Sequence, residues 1–93
     1  MNVNVVNLEI SKKLIGVTGR DNGRKIAKEQ ILPVLKNITL PINIVFPKHI
    51  VLVGSSFIEG IEDVLGTELT VDQITKKVGY VSSDKSINKD IIG

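Results

Sequence analysis

Ile50-Val51-Leu52-Val53-Gly54-Ser55-Ser56-Phe57-Ile58-Glu59-Gly60 is the stretch that decides how this chain is read. Four consecutive aliphatic residues predict a short buried strand or extended segment, Gly54 permits a tight turn, and a serine pair then opens a helix. That helix is expected to start at Ser56, because Ser56-x-x-Glu59 has the spacing of a capping box, and to carry Phe57, Ile61, Val64 and Leu65 on one face. Gly66 is expected as its C′ residue. Gly60 inside it costs about 1 kcal/mol of helix propensity relative to Ala, which close approach to a neighbouring strand would offset. A hydroxyl at the positive end of a helix dipole can cap the helix, bind an anion or carry a phosphate.

On the N-terminal side, Val3 to Ile10 is rich in β-branched residues and alternates, with a phase slip at Val5-Val6 that predicts a bulge. Ser11 to Gly19 reads as a loop or a short strand extension through Leu14-Ile15-Gly16-Val17. Asp21 or Asn22 is the expected N-cap of a first helix over Gly23 to Leu35, with Ile26, Ala27, Ile31, Val34 and Leu35 on its apolar side. Pro33 should kink its last turn or end it near Leu32. Pro41 to Phe46 predicts a second strand, and Pro47-Lys48-His49 a break.

On the C-terminal side, Thr70-Val71-Asp72-Gln73 is a capping-box pattern for a short helix to Lys77. Gly79 to Ser82 follows as a strand, and Ser83 or Asp84 caps a last helix with Ile87 and Ile91 on one side. Strands alternating with helices predict a single domain over residues 1–93, a small α/β (α+β) sandwich in which three to four helices cover a mixed sheet of about four strands. Asn4, Asn7, Glu9 and Asn43 predict a partly polar sheet face turned away from the helices, either solvated or used for pairing with a partner.

Composition narrows the chemistry. The 93 residues, 42% of them hydrophobic, suffice for one core but include only three aromatics, which leaves little for stacking on bases or sugars. There is no cysteine, so disulfide, thiolate and Cys-zinc chemistry are excluded. Net charge is +2, from 12 basic and 10 acidic residues, a weak signal for nucleic acid. No apolar run approaches the roughly 18 residues of a membrane span, and Met1-Asn2-Val3-Asn4 lacks the pattern of a secretory leader, so a cytoplasmic location is expected.

Among single residues, Glu59 has no neighbouring nucleophile and base, so it is read as a capping or interface residue. Arg20, Arg24 and Lys25 gather at the start of the first helix and read either as an anion or partner contact or as a solvated basic turn. His49 is the sole histidine, read as a loop residue without a metal. The lysines at 76, 77, 85 and 89 read as a solvated face.

Four motifs then stand in order: the Arg20-x-x-Gly23 turn, Ile31-Leu32-Pro33-x-Leu35, Gly54-Ser55-Ser56-Phe57-Ile58-Glu59, and Val78-Gly79-Tyr80-Val81-Ser82-Ser83-Asp84. Together they resemble the small STAS-like domains of bacteria and their mobile elements, which are in turn similar to anti-sigma factor antagonists. The resemblance implies a regulatory domain that binds an ATPase-fold kinase and is switched by phosphorylation of a serine at a helix start, here Ser56. This chain has Gly54 where the antagonists have Asp, and Phe57 where they have Gly. The expectation is therefore a non-enzymatic, cofactor-free interaction domain docking through Ser55, Ser56, Phe57 and Glu59, with Arg20, Arg24 and Lys25 as a second contact. Two alternatives stay open: a phage or mobile-element inhibitor of a host defence or nucleoprotein machine, and a small nucleotide- or anion-binding protein.

Overall fold

In the computed structural model, which describes residues 3–91, the chain is built around β3 (Ile42–Val45), flanked in parallel by β1 (Asn4–Asn7) and β5 (Val78–Val81) in the order β1-β3-β5. Asn4, Ile42 and Val78 align across the strands, as do Val6, Ile44 and Tyr80. β1 runs in unbroken register, so the bulge expected at Val5-Val6 is not made. A second parallel pair, β2 (Gly16–Val17) with β4 (Leu52–Val53), lies outside that sheet. Among the described residues every strand pair is parallel, the pattern of an α/β chain whose strands are joined by crossovers. One isolated antiparallel bridge joins Tyr80 to Lys89.

The first helix begins earlier than expected. α1 (Arg20–Ile26) starts after Gly19, whose φ of 91° suits glycine. Asp21 and Asn22 do not cap it: Asn22 donates to the Thr18 carbonyl at 2.9 Å, and Asp21 pairs with Arg24. A π turn at Ala27–Ile31 links α1 to α2 (Leu32–Leu35). In that turn the Leu32 N–H bonds to the Ala27 carbonyl five residues back, and Pro33 enters at the first turn of α2, where a missing N–H is tolerated. The helical path thus passes the proline and ends at Leu35.

α3 (Ser55–Leu65) buries Phe57, Gly60, Ile61, Val64 and Leu65, the stripe that its periodicity predicts. Gly66 ends it in ordinary right-handed geometry (φ −64°), not as a left-handed C′ residue. α4 (Val71–Lys77) carries the predicted capping box: Thr70 Oγ1 accepts from the Gln73 N–H at 3.1 Å, and Gln73 Oε1 accepts from the Thr70 N–H at 2.9 Å. α1 and α3 cross where Gly23 meets Gly60. A Cβ on Gly60 would overlap the Arg20 carbonyl, and one on Gly23 the Phe57 carbonyl. The close approach that Gly60 needs is therefore to a helix, not to a strand.

The core joins Ile42, Ile44 and Val78 from the sheet, and Phe46 just past β3, to Ala27, Ile31, Phe57, Ile61 and Leu65 from the helices. The opposite sheet face is not wholly solvated. Asn43 is 7% exposed; it donates to Asp90 Oδ1 at 2.5 Å and to the Ile91 carbonyl at 3.0 Å, and accepts from the Ile91 N–H at 2.9 Å. Gly79 leaves room for that crossing, since a Cβ there would strike Asn43 and Lys89. Asn4 also departs from expectation: it shares the register of Ile42 and donates to the Thr39 carbonyl at 2.7 Å. Asn7 and Glu9 are exposed as expected. The last helix is not formed beyond a single 3-10 turn at Lys85–Ile87, capped by Asp84 as predicted, because the following residues turn back to bridge Tyr80 and cover Asn43. Met1, Asn2 and residues 92–93, part of the predicted leader-free N-terminus and of the 1–93 domain span, lie outside the described residues. Among the described residues no helix is long and apolar enough to cross a membrane.

Candidate functional site

β4 ends at Val53 and α3 starts at Ser55, with Gly54 as N-cap in extended geometry (φ −69°, ψ 145°). Ser56 therefore sits two positions past the cap, not at it as the motif suggests. Gly54 supplies no side-chain oxygen, and the Ser56–Glu59 capping box is not formed. Ser55 is exposed. Ser56 is half-buried, and its Oγ accepts the Gly19 N–H at 3.1 Å, joining the start of α3 to the residue that opens α1. Phe57, expected as a contact residue, is 1% exposed and packs on Phe46 with ring centroids 6.1 Å apart. Glu59 is exposed and borders a cleft of about 320 Å³ with Arg20, Glu62 and Asp63.

The basic turn is largely neutralised. Arg20 holds Asp63 with two hydrogen bonds, Nε to Oδ2 at 2.6 Å and Nη2 to Oδ1 at 2.8 Å. Arg24 Nε reaches Asp63 Oδ2 at 3.0 Å, and Arg24 Nη1 reaches Asp21 at 2.9 Å. The arginines fasten α1 to α3 beside the Gly23–Gly60 crossing, so two of the three expected anion contacts are occupied by carboxylates of the chain itself. Lys25 is exposed and lines the groove between α1 and the Glu9–Leu14 segment.

Hydrogen bonds from Arg20, then from Arg24, with their charges, outweigh the cost of desolvation and hold the Asp63 carboxyl at about 2, below its ordinary 3.8. A carboxylate whose folded pKa is depressed favours the fold above its unfolded pKa, and that support fades as pH falls through the folded value. Stability should therefore decline as pH drops from about 4 to about 2. Asp63→Asn should flatten this limb in urea titrations run at a series of pH values. Asp84 contributes to the slope that remains, since its carboxyl is also lowered, by Ser86 first and by the Val53 N–H next.

Three ties complete the frame. Asp84 Oδ2 accepts the Val53 N–H at 2.8 Å, fixing β4 from the side opposite β2. His49 Nε2 donates to the Ser11 carbonyl at 3.0 Å, so the histidine ties two loops together. Buried Tyr80 donates to Glu62 Oε2 at 2.9 Å, and burial, then the Glu62 charge, push its hydroxyl well above the usual range.

The feature that sequence reading missed is the exposed apolar surface of the β2–β4 ribbon. Leu14 is 47% exposed, Ile15 72%, Val51 57% and Leu52 55%. Val51 and Leu52 were expected in a short buried strand or an extended segment; of that run Ile50 and Val53 are buried. The ribbon feeds directly into Ser55, through the Gly54 N–H bonded to the Val17 carbonyl at 2.8 Å. The lysines at 76, 77, 85 and 89 are exposed as predicted, Lys76 pairing with Asp72 at 3.2 Å. No family model, curated protein or solved structure matches the chain.

Proposed function

We propose that this chain is a non-enzymatic, STAS-like regulatory domain that docks to a partner protein through the β2–β4 ribbon and the adjoining start of α3. The observation that carries this reading is the exposure of Leu14, Ile15, Val51 and Leu52 along the paired β2 and β4 segments, close in sequence to an accessible serine. Clustered exposed aliphatics mark interaction surfaces more often than isolated ones do. Of the serines, Ser55 is the contact and the better phosphate acceptor, because Ser56 Oγ is held against Gly19. Phosphate on Ser55 would place about −1.5 to −2 charges at the rim of the apolar surface and act as the switch. The resemblance to antagonists favours a kinase of the ATPase fold as partner. A host machine bound by a mobile-element inhibitor would use the same surface. The small-anion alternative loses ground because Asp63 and Asp21 occupy the arginines.

The test is recovery of partners from native cells with tagged wild-type chain and with Leu52→Glu and Ser55→Glu variants. A partner retained by wild type and lost by both variants, each still folded, is expected. Equal recovery by all three would refute the site.

A further inference from the structure

Resting on the docking reading, we propose that the partner segment received by the β2–β4 ribbon is acidic as well as aliphatic. The apolar surface lies at the carboxyl ends of β1, β3 and β5, where the three following loops converge. His49 Nε2 reaches the Ser11 carbonyl at 3.0 Å, Ser83 Oγ reaches the Lys48 carbonyl at 3.0 Å, and the Val51 N–H reaches the Ile15 carbonyl at 2.7 Å. These contacts bring Lys12 and Lys13, Lys48, and Lys85 around the aliphatic patch, and all four are exposed. Among the described residues none of the four has an ion-pair partner, whereas Arg20, Arg24 and Lys76 do. Two acids stand nearby: Asp84, whose bonds to the Val53 N–H and the Ser86 hydroxyl leave its charge in place, and Glu9, which lines a groove with Leu14 and Lys25, so the four lysines leave the rim net basic.

An apolar centre with a net basic rim selects for a partner of opposite charge, chiefly through encounter rate and the rejection of like-charged surfaces. A second copy of this chain is disfavoured, because its own lysine rim would face the first. A lipid surface is disfavoured by the absence of aromatic anchors: Phe46, Phe57 and Tyr80 are 3%, 1% and 3% exposed. Stacking on nucleic acid bases lacks the same side chains.

The experiment selects a displayed library of random short peptides against the full chain, then measures binding of the recovered peptides. Enrichment of Asp and Glu together with Leu, Ile and Val is expected. Affinity should fall about tenfold in a Lys12→Glu, Lys48→Glu double variant, and it should weaken between about 0.1 and 1 M salt. Leu52→Ser should weaken the same peptides. Thermal melts verify that the variants fold. Recovery of neutral or basic peptides, an effect of Leu52→Ser without one of the lysine reversals, or no enrichment over the unselected library would each overturn the acidic partner. So would lysine-dependent binding to phosphatidylserine vesicles in place of peptide binding. Failure of the docking reading itself looks different: Leu52→Glu and Ser55→Glu would then leave the native partner bound.

Discussion

Gly60→Ala should destabilise the fold by about 3 kcal/mol or more, although the same change in an ordinary exposed helix would stabilise it by about 1 kcal/mol. The sign is what makes the variant informative. The added methyl group would overlap the Arg20 carbonyl and crowd the Arg24 N–H, both parts of the α1 backbone, which cannot swing aside as a flexible side chain would. α1 would have to move, opening the clamp between Arg20, Arg24 and Asp63 and shifting Gly19 off Ser56. Gly23→Ala should behave alike through the Phe57 carbonyl. Urea unfolding of the three chains measures this; an unchanged or raised midpoint for Gly60→Ala would show that the helices do not meet backbone to backbone.

Phe57→Ala should cost about 3–5 kcal/mol, the usual loss for truncating a buried aromatic. For a domain whose whole stability is of order 5–15 kcal/mol, that removes a large share of the folded margin. The residue sits next to the serine pair, so loss of partner binding in this variant would be easily mistaken for loss of a contact. Its 1% exposure and its packing on Phe46 assign the loss to the core. Thermal melting separates the two explanations. A variant melting within a few degrees of wild type while failing to bind would place Phe57 at the interface after all, since 1 kcal/mol moves the midpoint by only about 4–8 °C in a domain of this size.

What was legible in the sequence was whatever local pattern determines. The Phe57, Ile61, Val64, Leu65 stripe and the Thr70–Gln73 capping box specify their helices from residues three or four apart, and both are formed. The α3 N-cap was placed two residues late because glycine is itself an acceptable N-cap, and Gly54 takes that position ahead of the serines. α1 was entered late for the same reason: Gly19, with positive φ, opens it, while Asn22 and Asp21 spend their side chains on Thr18 and Arg24.

The remainder depended on partners far along the chain. Arg20 and Asp63 are 43 residues apart, and neither carries a local sign that it will meet the other. Gly60 did carry one, a helix-interior glycine, but its counterpart proved to be Gly23 on another helix. Asn43 looked like a solvent-facing strand residue until the C-terminal segment folded back over it. The exposed ribbon was hidden because Ile50 to Val53 has the composition of a buried strand. Yet β4 pairs only with β2 and is bounded by Asp84 on its other side, leaving Val51 and Leu52 uncovered.

The central claim is that the ribbon and the start of α3 form one docking surface. Amide hydrogen exchange of the chain with and without the partner recovered from its own cells tests this most directly. The account predicts slowed exchange confined to residues 12–18, 48–56 and 82–86, with the α4 surface unchanged. Protection centred on α4, or on the cleft bounded by Glu59 and Glu62, with the ribbon unaffected, would contradict it.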